Sequence, residues 1–82
     1  MNKTKPAYSA DNFRENLREL MWEQELRQKD IAEMVGVPPS SVNNWLNSRS
    51  EPTLYNFTLL CEALNVTPEW MLKKNKFVRF DD

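Results

Sequence analysis

The sequence predicts an all-α domain built from five short helices. A single glycine, Gly36, among 82 residues leaves few positions for the positive-φ turns on which small β-rich folds depend. Apolar residues recur at three- and four-residue intervals along the chain, and residues that cap or start helices precede most of these segments. A chain of this length supports one hydrophobic core. We therefore predict a helical domain at residues 11–72, a flexible N-terminal arm at residues 1–10 and a C-terminal tail at residues 73–82.

The first predicted helix begins after Asp11 and runs to about Glu25. The carboxylate of Asp11 is suited to accept the free N–H groups of a first helical turn. Four apolar residues at i, i+4, i+7 and i+8 share one face, and these are Phe13, Leu17, Leu20 and Met21. The charged residues of the opposite side are expected to face solvent, and these are Arg14, Glu15, Arg18 and Glu19.

The second predicted helix covers Gln28 to Val35 and leads into a sharp turn. Ile31, Ala32 and Val35 are spaced to face the core. Gly36 follows as the left-handed residue that ends many helices.

The third predicted helix begins at Pro39, because the first helical position needs no backbone N–H. Val42, Trp45 and Leu46 fall at i, i+3 and i+4 and are expected to face inward. The outer face is polar but uncharged, and it consists of Ser40, Ser41, Asn43, Asn44 and Asn47. Serine and asparagine are poor helix formers, so this face indicates a function other than helix stability.

Two further helices are predicted in the second half of the chain. One runs from about Thr53 to Leu64, and its inward residues are Leu54, Phe57, Leu60, Cys61 and Leu64. The other is capped by Thr67, has Pro68 at its first position and leads into Trp70, Met71 and Leu72.

Several large side chains need separate interpretations. Trp45 and Trp70 lie on apolar stripes and are predicted core residues, and Cys61 is predicted to be a small buried hydrophobe. Three other residues fall off the main stripes, and they are Trp22, Tyr55 and Leu59. Their exposure is either incidental or part of a dimer contact, and both interpretations stay open at this point.

Composition argues against several classes of function. The chain has one cysteine and no histidine, which argues against a disulfide framework, the usual Cys/His metal sites and an imidazole base. No apolar run reaches the length of a membrane-spanning helix, and the N-terminus has no apolar signal region. We therefore expect a cytoplasmic protein that is not an enzyme and uses no metal, cofactor or membrane.

The second and third predicted helices carry a resemblance to a known family. The spacing consists of an initial glutamine, a central alanine, a glycine four residues later and a β-branched residue six positions beyond, and the residues are Gln28, Ala32, Gly36 and Val42. The pattern continues with Glu51-Pro52 and closes with ALNVTPEWML at residues 63–72. Over about residues 12–72 the chain resembles the phage repressor/Cro-like, or lambda-repressor-like, helix-turn-helix family.

The resemblance implies a compact five-helix domain in which the second and third helices form the helix-turn-helix. It implies a sequence-specific transcriptional regulator, a phage or prophage repressor or Cro-like protein. Such a protein binds a double-stranded DNA operator, usually as a homodimer. The helix that starts near Pro39 would then read an operator half-site in the major groove.

Four residues at the start of the third predicted helix are candidates for base contacts, and they are Pro39, Ser40, Ser41 and Asn44. An asparagine amide matches the N7 and N6 groups of adenine, so Asn44 is the main candidate base reader. The serine hydroxyls suit either bases or phosphates. Pro39 offers only apolar contact, for example to a thymine methyl group, where family members often carry a polar reader.

The resemblance also suggests contacts to phosphates, and the candidate residues are Gln28, Lys29, Asn43, Asn47 and Arg49. Lys3 and Lys5 would extend an N-terminal arm along the duplex. An ordinary disordered terminus is an equally weighted alternative for that arm.

Besides Pro39, the chain departs from the family pattern at three further positions. Several members pair an arginine of the first helix with a glutamate that follows the recognition helix, whereas Met21 and Leu46 stand at those positions. An apolar contact is therefore expected to replace the ion pair. Ser48 stands where glycine is common, so the turn before Arg49 is expected to differ.

The net charge of −1 and the pI near 5.4 argue against strong non-specific affinity for nucleic acid. Between Gly36 and Ser50, however, the only charged residue is Arg49. The alternative function is therefore a protein–protein interaction module on the same fold, with weak or no DNA binding.

For the tail, a short strand at residues 77–80, a dimerising hook and the start of a linker all remain open.

Overall fold

The computed structural model describes residues 7–77, which fold into five α-helices: α1 at Ala10–Glu23, α2 at Gln28–Val35, α3 at Pro39–Leu46, α4 at Leu54–Leu64 and α5 at Pro68–Leu72. Within this range the β-structure is a single antiparallel bridge between Tyr8 and Lys73. The all-α, five-helix prediction is confirmed. Lys3 and Lys5, and most of the predicted strand at residues 77–80, lie outside the described residues.

The N-terminal cap of α1 is Ser9, and the prediction of Asp11 as the cap was wrong. The Ser9 hydroxyl accepts the N–H of Asn12 at 3.1 Å, and the backbone of Ser9 is extended. Asp11 lies inside the first turn, where its carboxylate accepts from the Arg14 guanidinium at 2.7 Å. Glu25 has φ of 55°, which is incompatible with continuing the helix, so α1 ends two residues earlier than predicted.

Gly36 and Thr67 cap α2 and α5 as predicted, and Thr53, the predicted approximate start of the fourth helix, is the N-terminal cap of α4. Gly36 takes the left-handed conformation after α2, with φ of 82°. The hydroxyl of Thr53 accepts the N–H of Asn56 at 3.1 Å, and the hydroxyl of Thr67 accepts that of Trp70 at 3.0 Å. Side-chain oxygens thus satisfy N–H groups that α4 and α5 cannot pair internally.

All five helices contribute to one hydrophobic core, whose buried residues are Phe13, Leu17, Leu20, Ile31, Ala32, Val35, Val42, Trp45, Leu46, Phe57, Leu60, Cys61, Leu64 and Met71. The rings of Phe13 and Phe57 meet edge to face, with centroids 5.7 Å apart. Cys61 is buried as predicted, and desolvation raises the pKa of its thiol. The stripes of the sequence therefore identify the core of the described region.

Leu54 is the main exception, because its side chain is 85% exposed although the sequence predicted it to be buried. It occupies the first position of α4, outside the core, and lines a groove of about 290 Å³ beside Pro52 and Phe57. Trp22 and Tyr55 are also exposed. The partly buried hydrophobic residues Met21, Leu59 and Trp70 pack against the core.

Asn16 is the one polar residue that is buried in the described region, with 1% of its surface exposed. Its Nδ2 donates to the carbonyl oxygens of Met71 at 2.7 Å, Lys73 at 2.9 Å and Trp70 at 3.2 Å. One turn earlier, Asn12 Nδ2 donates to the Leu72 carbonyl at 3.0 Å. Helix α1 therefore supplies the donors that the last carbonyls of α5 lack.

The two ends of the described chain also meet beside α5. Backbone N–H of Ser9 donates to the carbonyl of Leu72 at 3.0 Å, and the Tyr8 hydroxyl donates to the Glu69 carboxylate at 3.1 Å. This hydrogen bond raises the pKa of Tyr8. Residues 8 and 9 consequently extend the contact between α1 and the end of α5.

Replacing Asn16 should strongly destabilise the fold. We expect Asn16→Ala to lower the free energy of unfolding by about 2–3 kcal/mol, because carbonyl groups at the end of α5 lose a buried donor. Urea denaturation followed by circular dichroism measures this change. Asn75→Ala is a suitable control, because Asn75 Nδ2 donates to the Trp70 and Lys73 carbonyls from a half-buried position. Equal losses in the two variants would contradict a special role for the buried amide.

Candidate nucleic-acid interface

Helices α2 and α3 form a rigid helix–turn–helix unit against the core. Ala32 is buried at their junction, and its carbonyl accepts the N–H groups of Gly36 at 2.8 Å and Val37 at 3.0 Å. A Cβ at Gly36 would meet no atom within 4 Å, so glycine is favoured here by its positive φ and not by lack of space. The turn therefore has the geometry that the Ala-x3-Gly spacing predicted.

The buried face of α3 determines which of its residues reach solvent. Val42, Trp45 and Leu46 lie in the core, so the residues between them point outward. Of the predicted base-contacting residues, Pro39 and Ser40 are exposed, whereas Ser41 and Asn44 are half-buried. Within residues 7–77, the side chains of Ser40, Ser41 and Asn44 form no hydrogen bond, which leaves their polar atoms available to a ligand.

Three of the predicted phosphate-contacting residues form a chain of hydrogen bonds across the unit. Asn43 Nδ2 donates to Gln28 Oε1 at 3.3 Å, and Arg49 Nη1 donates to Asn43 Oδ1 at 3.4 Å. Asn43 thereby connects the first residue of α2 with the loop that follows α3. The Gln28 amide oxygen is thus used within the unit, whereas its Nε2 forms no hydrogen bond within residues 7–77.

The remaining predicted phosphate contacts flank this chain. Asn47 is exposed, and its Nδ2 donates to the backbone carbonyl of Asn43 at 2.8 Å. Lys29 is exposed in the first turn of α2, next to Gln28. The positions of Lys3 and Lys5 fall outside the described residues, so their arm contacts stay a prediction.

An acidic residue and a basic residue share the start of α2. The Arg27 N–H donates to Asp30 Oδ2 at 2.8 Å, and this bond lowers the pKa of the Asp30 carboxyl. The Arg27 guanidinium lies 3.6 Å from the same carboxylate and is exposed. Sequence reasoning overlooked Arg27 as a cation beside Gln28, although its place before the first residue of the helix was a usable signal.

Arg18 is exposed, as the sequence predicted, but its guanidinium also has a partner in the protein. Its Nη2 donates to the backbone carbonyl of Leu46, the last residue of α3. Leu46 is a core residue and Met21 is partly buried against the core, so apolar side chains occupy both positions of the family ion pair. Arg14, also predicted to face solvent, is half-buried and holds Asp11.

The turn after α3 contains a backbone conformation that glycine favours. Ser48 has φ of 63°, in the left-handed region, at the position where the family pattern has glycine. The N–H groups of Arg49 and Ser50 both approach the carbonyl of Asn44, at 2.9 Å and 3.4 Å. The turn therefore folds back over the end of α3 and places Arg49 beside Asn43.

Other classes of site are not apparent in residues 7–77. This range contains no group of three or more acidic or cysteine side chains arranged to hold a metal ion. None of its helices has the length and apolar character needed to cross a membrane.

The sequence and the structure are similar to those of known regulators. The pattern of the helix-turn-helix family matches residues 16–71. Repressor protein C2 of Salmonella phage P22 is 32% identical over 59 residues, which cover 72% of this chain and 27% of that protein. The chain thus spans about a quarter of the length of this curated relative.

Two solved structures show the same likeness. The P22 c2 repressor bound to a synthetic operator has a TM-score of 0.70 and 30% identity, covering 77% of this chain and 96% of that chain. The restriction-modification controller protein C.AhdI from Aeromonas hydrophila has a TM-score of 0.69 and 27% identity, with the same two coverages of 77% and 96%.

Glycine at position 48 should stabilise the protein. We expect Ser48→Gly to raise the free energy of unfolding by about 0.5–1 kcal/mol, because glycine avoids the steric strain of a Cβ at positive φ. Thermal and urea unfolding measure the change. Ser50→Gly is the matched control and should be neutral or destabilising, because Ser50 does not have positive φ. A loss of stability in Ser48→Gly would contradict the assigned strain.

Proposed function

The chain belongs to the helix-turn-helix family, and from this membership we propose that it is a sequence-specific, double-stranded DNA-binding transcriptional regulator of the phage repressor type. The observation that carries the proposal is the outer face of α3. There, Ser40, Ser41 and Asn44 present polar groups without partners in the described region, on a helix whose other face is held by the core. The similar P22 c2 repressor was solved with a synthetic operator.

The reading of bases follows from the rigid placement of α3. Its N-terminal end would enter the major groove, where an exposed helix face meets the base edges. Asn44 would pair with an adenine through both atoms of its amide, and the Ser40 and Ser41 hydroxyls would contact neighbouring bases. Pro39 would add an apolar contact to a thymine methyl group.

The phosphate contacts would come from both sides of α3. The Gln28 amide oxygen accepts from Asn43, and the amide nitrogen, which has no hydrogen-bond partner in residues 7–77, would donate to a phosphate. Lys29 would act from the same turn, while Asn47 and Arg49 would contact the backbone beyond the other end of α3. Asn43 would contact a phosphate while keeping its hydrogen bonds to Gln28 and Arg49. These contacts set the register of the protein on the duplex.

The charge distribution favours binding through specific contacts with the operator over non-specific electrostatic attraction to DNA. The whole chain has a net charge of −1, so non-specific attraction to DNA is expected to be weak. The residues 36–50 that face the duplex carry only the charge of Arg49. Operator affinity would therefore depend on base contacts, on helix N-termini and on the combined affinity of two copies.

We propose that the chain acts as a homodimer through the start of α4. Leu54 and Tyr55 are large hydrophobic residues with 85% and 71% of their surfaces exposed. Leu54 lines a groove together with Tyr8, Pro52 and Phe57, and Tyr55 is the next residue of α4. An exposed apolar side chain next to an apolar groove is suited to a two-fold contact, in which each copy fills the groove of the other.

Two coarser properties follow from the same proposal. The family comprises DNA-binding regulators and is not an enzyme class, so we propose no catalytic role. We propose a cytoplasmic location, because a regulator of bacterial or phage genes must share a compartment with its DNA.

Substitutions at Asn44 and Arg49 should separate base reading from backbone contact. On a duplex selected by the protein from a random pool, Asn44→Ala should reduce the binding free energy by about 1–3 kcal/mol. The variant should also discriminate less between bases at one base pair of the site. Arg49→Ala should weaken binding to all duplexes by a similar factor. It should also reduce the magnitude of the slope of log K against log salt concentration by about 0.9. Fluorescence anisotropy titrations at several salt concentrations measure both effects.

The controls for this pair are Asn56→Ala on α4 and Lys76→Ala in the tail, which remove the same amide and a similar charge elsewhere. No sequence preference and no salt dependence in the unaltered protein would overturn DNA binding. That result would favour a protein–protein interaction module.

Charge at Leu54 should prevent association between copies. We expect Leu54→Glu to shift the protein to monomers and to weaken operator binding, because a carboxylate cannot enter an apolar groove without a partner. Sedimentation velocity over a range of concentrations measures the mass. Met34→Glu is the matched control, because Met34 is an exposed hydrophobic residue on α2. Dimers that persist in Leu54→Glu would place the interface elsewhere, and a monomeric unaltered protein bound singly to operator would exclude the homodimer.

A further inference from the structure

Arg18 connects the first helix directly to the end of the helix proposed to read DNA. It stands in the middle of α1, and its Nη2 donates to the carbonyl of Leu46, 28 positions along the chain. The Asn12 and Asn16 side chains of α1 donate instead to carbonyls at the end of α5. The Arg18 contact is a direct side-chain hydrogen bond between α1 and the last residue of α3.

The carbonyl of Leu46 needs this donor. The last carbonyls of an α-helix have no partners within the helix. Those of Asn43, Asn44 and Trp45 accept N–H groups of residues 47–50 in the following turn. In residues 7–77 no backbone N–H is seen to donate to the Leu46 carbonyl, and the Arg18 guanidinium does donate to it.

The charge of Arg18 matches the electrostatics of that helix end. The C-terminal end of a helix is partially negative, and a cation in its last turn stabilises it. Helix α3 has no basic residue in its last turn and no glycine in the turn that follows. Arg18 thus supplies from another helix a cation that α3 lacks in its last turn and a donor for the Leu46 carbonyl, which no backbone N–H of the following turn reaches.

We propose that Arg18 is a positioning residue for DNA recognition, which holds the C-terminal end of α3 and the turn at residues 47–50. This inference rests on the proposed function. The turn with α2 fixes the N-terminal end of α3, while Arg18 fixes the opposite end. Asn44 and Arg49, whose backbones are hydrogen-bonded to each other, depend on the alignment that results.

A direct phosphate contact is the competing role for an arginine at this place. The two roles differ in their salt dependence, because neutralising a phosphate releases counterions and positioning a helix does not. They also differ in the free protein, since only the positioning role affects the end of α3 before any DNA is present.

The experiment compares Arg18→Gln, Arg18→Lys and the matched control Arg14→Gln. Arg14 lies one turn earlier on α1 and pairs with Asp11, so its variant removes the same charge without touching α3. In each free protein, NMR measures amide exchange at Arg49 and Ser50 and the carbonyl ¹³C shift of Leu46. Anisotropy then measures binding to the selected duplex and to a random duplex, at several salt concentrations.

For Arg18→Gln we expect a loss of about tenfold in affinity for the selected duplex, as removal of a charged hydrogen bond suggests. Affinity for the random duplex and the salt slope should stay unchanged. Amide exchange at Arg49 and Ser50 should accelerate, and the Leu46 shift should move. Arg18→Lys keeps the charge, so it should show a smaller loss of affinity and a smaller acceleration of amide exchange than Arg18→Gln. Arg14→Gln should change neither the affinity nor the amide exchange.

Three results would overturn the positioning role. One is a salt slope that falls by about 0.9 with equal losses on both duplexes, because this indicates a phosphate contact. Another is unchanged amide exchange at Arg49 and Ser50 in Arg18→Gln, or in Arg18→Lys if the glutamine variant does not fold. The third is an Arg14→Gln variant whose losses of affinity and changes in amide exchange equal those of Arg18→Gln. Absence of duplex binding by the unaltered protein would overturn the proposed function, while amide exchange would still decide whether Arg18 holds α3.

Discussion

The buried amide of Asn16 holds the end of α5 against α1, and the closure of the domain depends on this interaction. Helix α5 has five residues and no basic residue in its last turn, so it cannot satisfy its own terminal carbonyls. Asn16 donates to three of the carbonyls at residues 70–73, and Asn12 donates to the fourth. With α5 fixed, Met71 completes the core, and residues 8 and 9 pair with the end of the helix. A small domain has few other means of closing its core, because it buries a limited fraction of its surface.

Helix α1 therefore acts as a frame for two short helices. Its asparagines terminate α5, and Arg18 donates to the last carbonyl of α3. Both contacts run from a side chain to a backbone carbonyl, so they constrain where a helix ends as well as how it packs. This arrangement suits a DNA-binding domain, because a two-turn recognition helix has little stability of its own and must still present its side chains in one orientation.

The polar face of α3 and the acidic net charge both agree with the proposed recognition through specific base contacts. In the proposed function, uncharged serine and asparagine side chains would contact bases directly, whereas a basic surface would attract all DNA alike. The chain of hydrogen bonds through Gln28, Asn43 and Arg49 connects the residues on either side of that face. At the positions of the family ion pair, Leu46 is a core residue and Met21 packs against the core. Arg18 lies three residues before Met21 and donates to a carbonyl instead. The same fold thus keeps a tie between α1 and the recognition helix by different chemistry.

Most helix boundaries, the core stripes and the helix-turn-helix were predictable from the sequence, because capping, proline placement and apolar periodicity act over a few neighbouring residues. Gly36, Thr53 and Thr67 end or begin helices as their local chemistry indicates. The polar outer face of α3 was predictable in the same way. Tertiary structure decided which helix ends meet other side chains: it made Asn16 a buried donor, brought Arg18 to Leu46 and left Leu54 exposed. Such contacts join residues far apart in the chain, and the spacing of residues within one helix carries no information about which distant carbonyl will lie within reach.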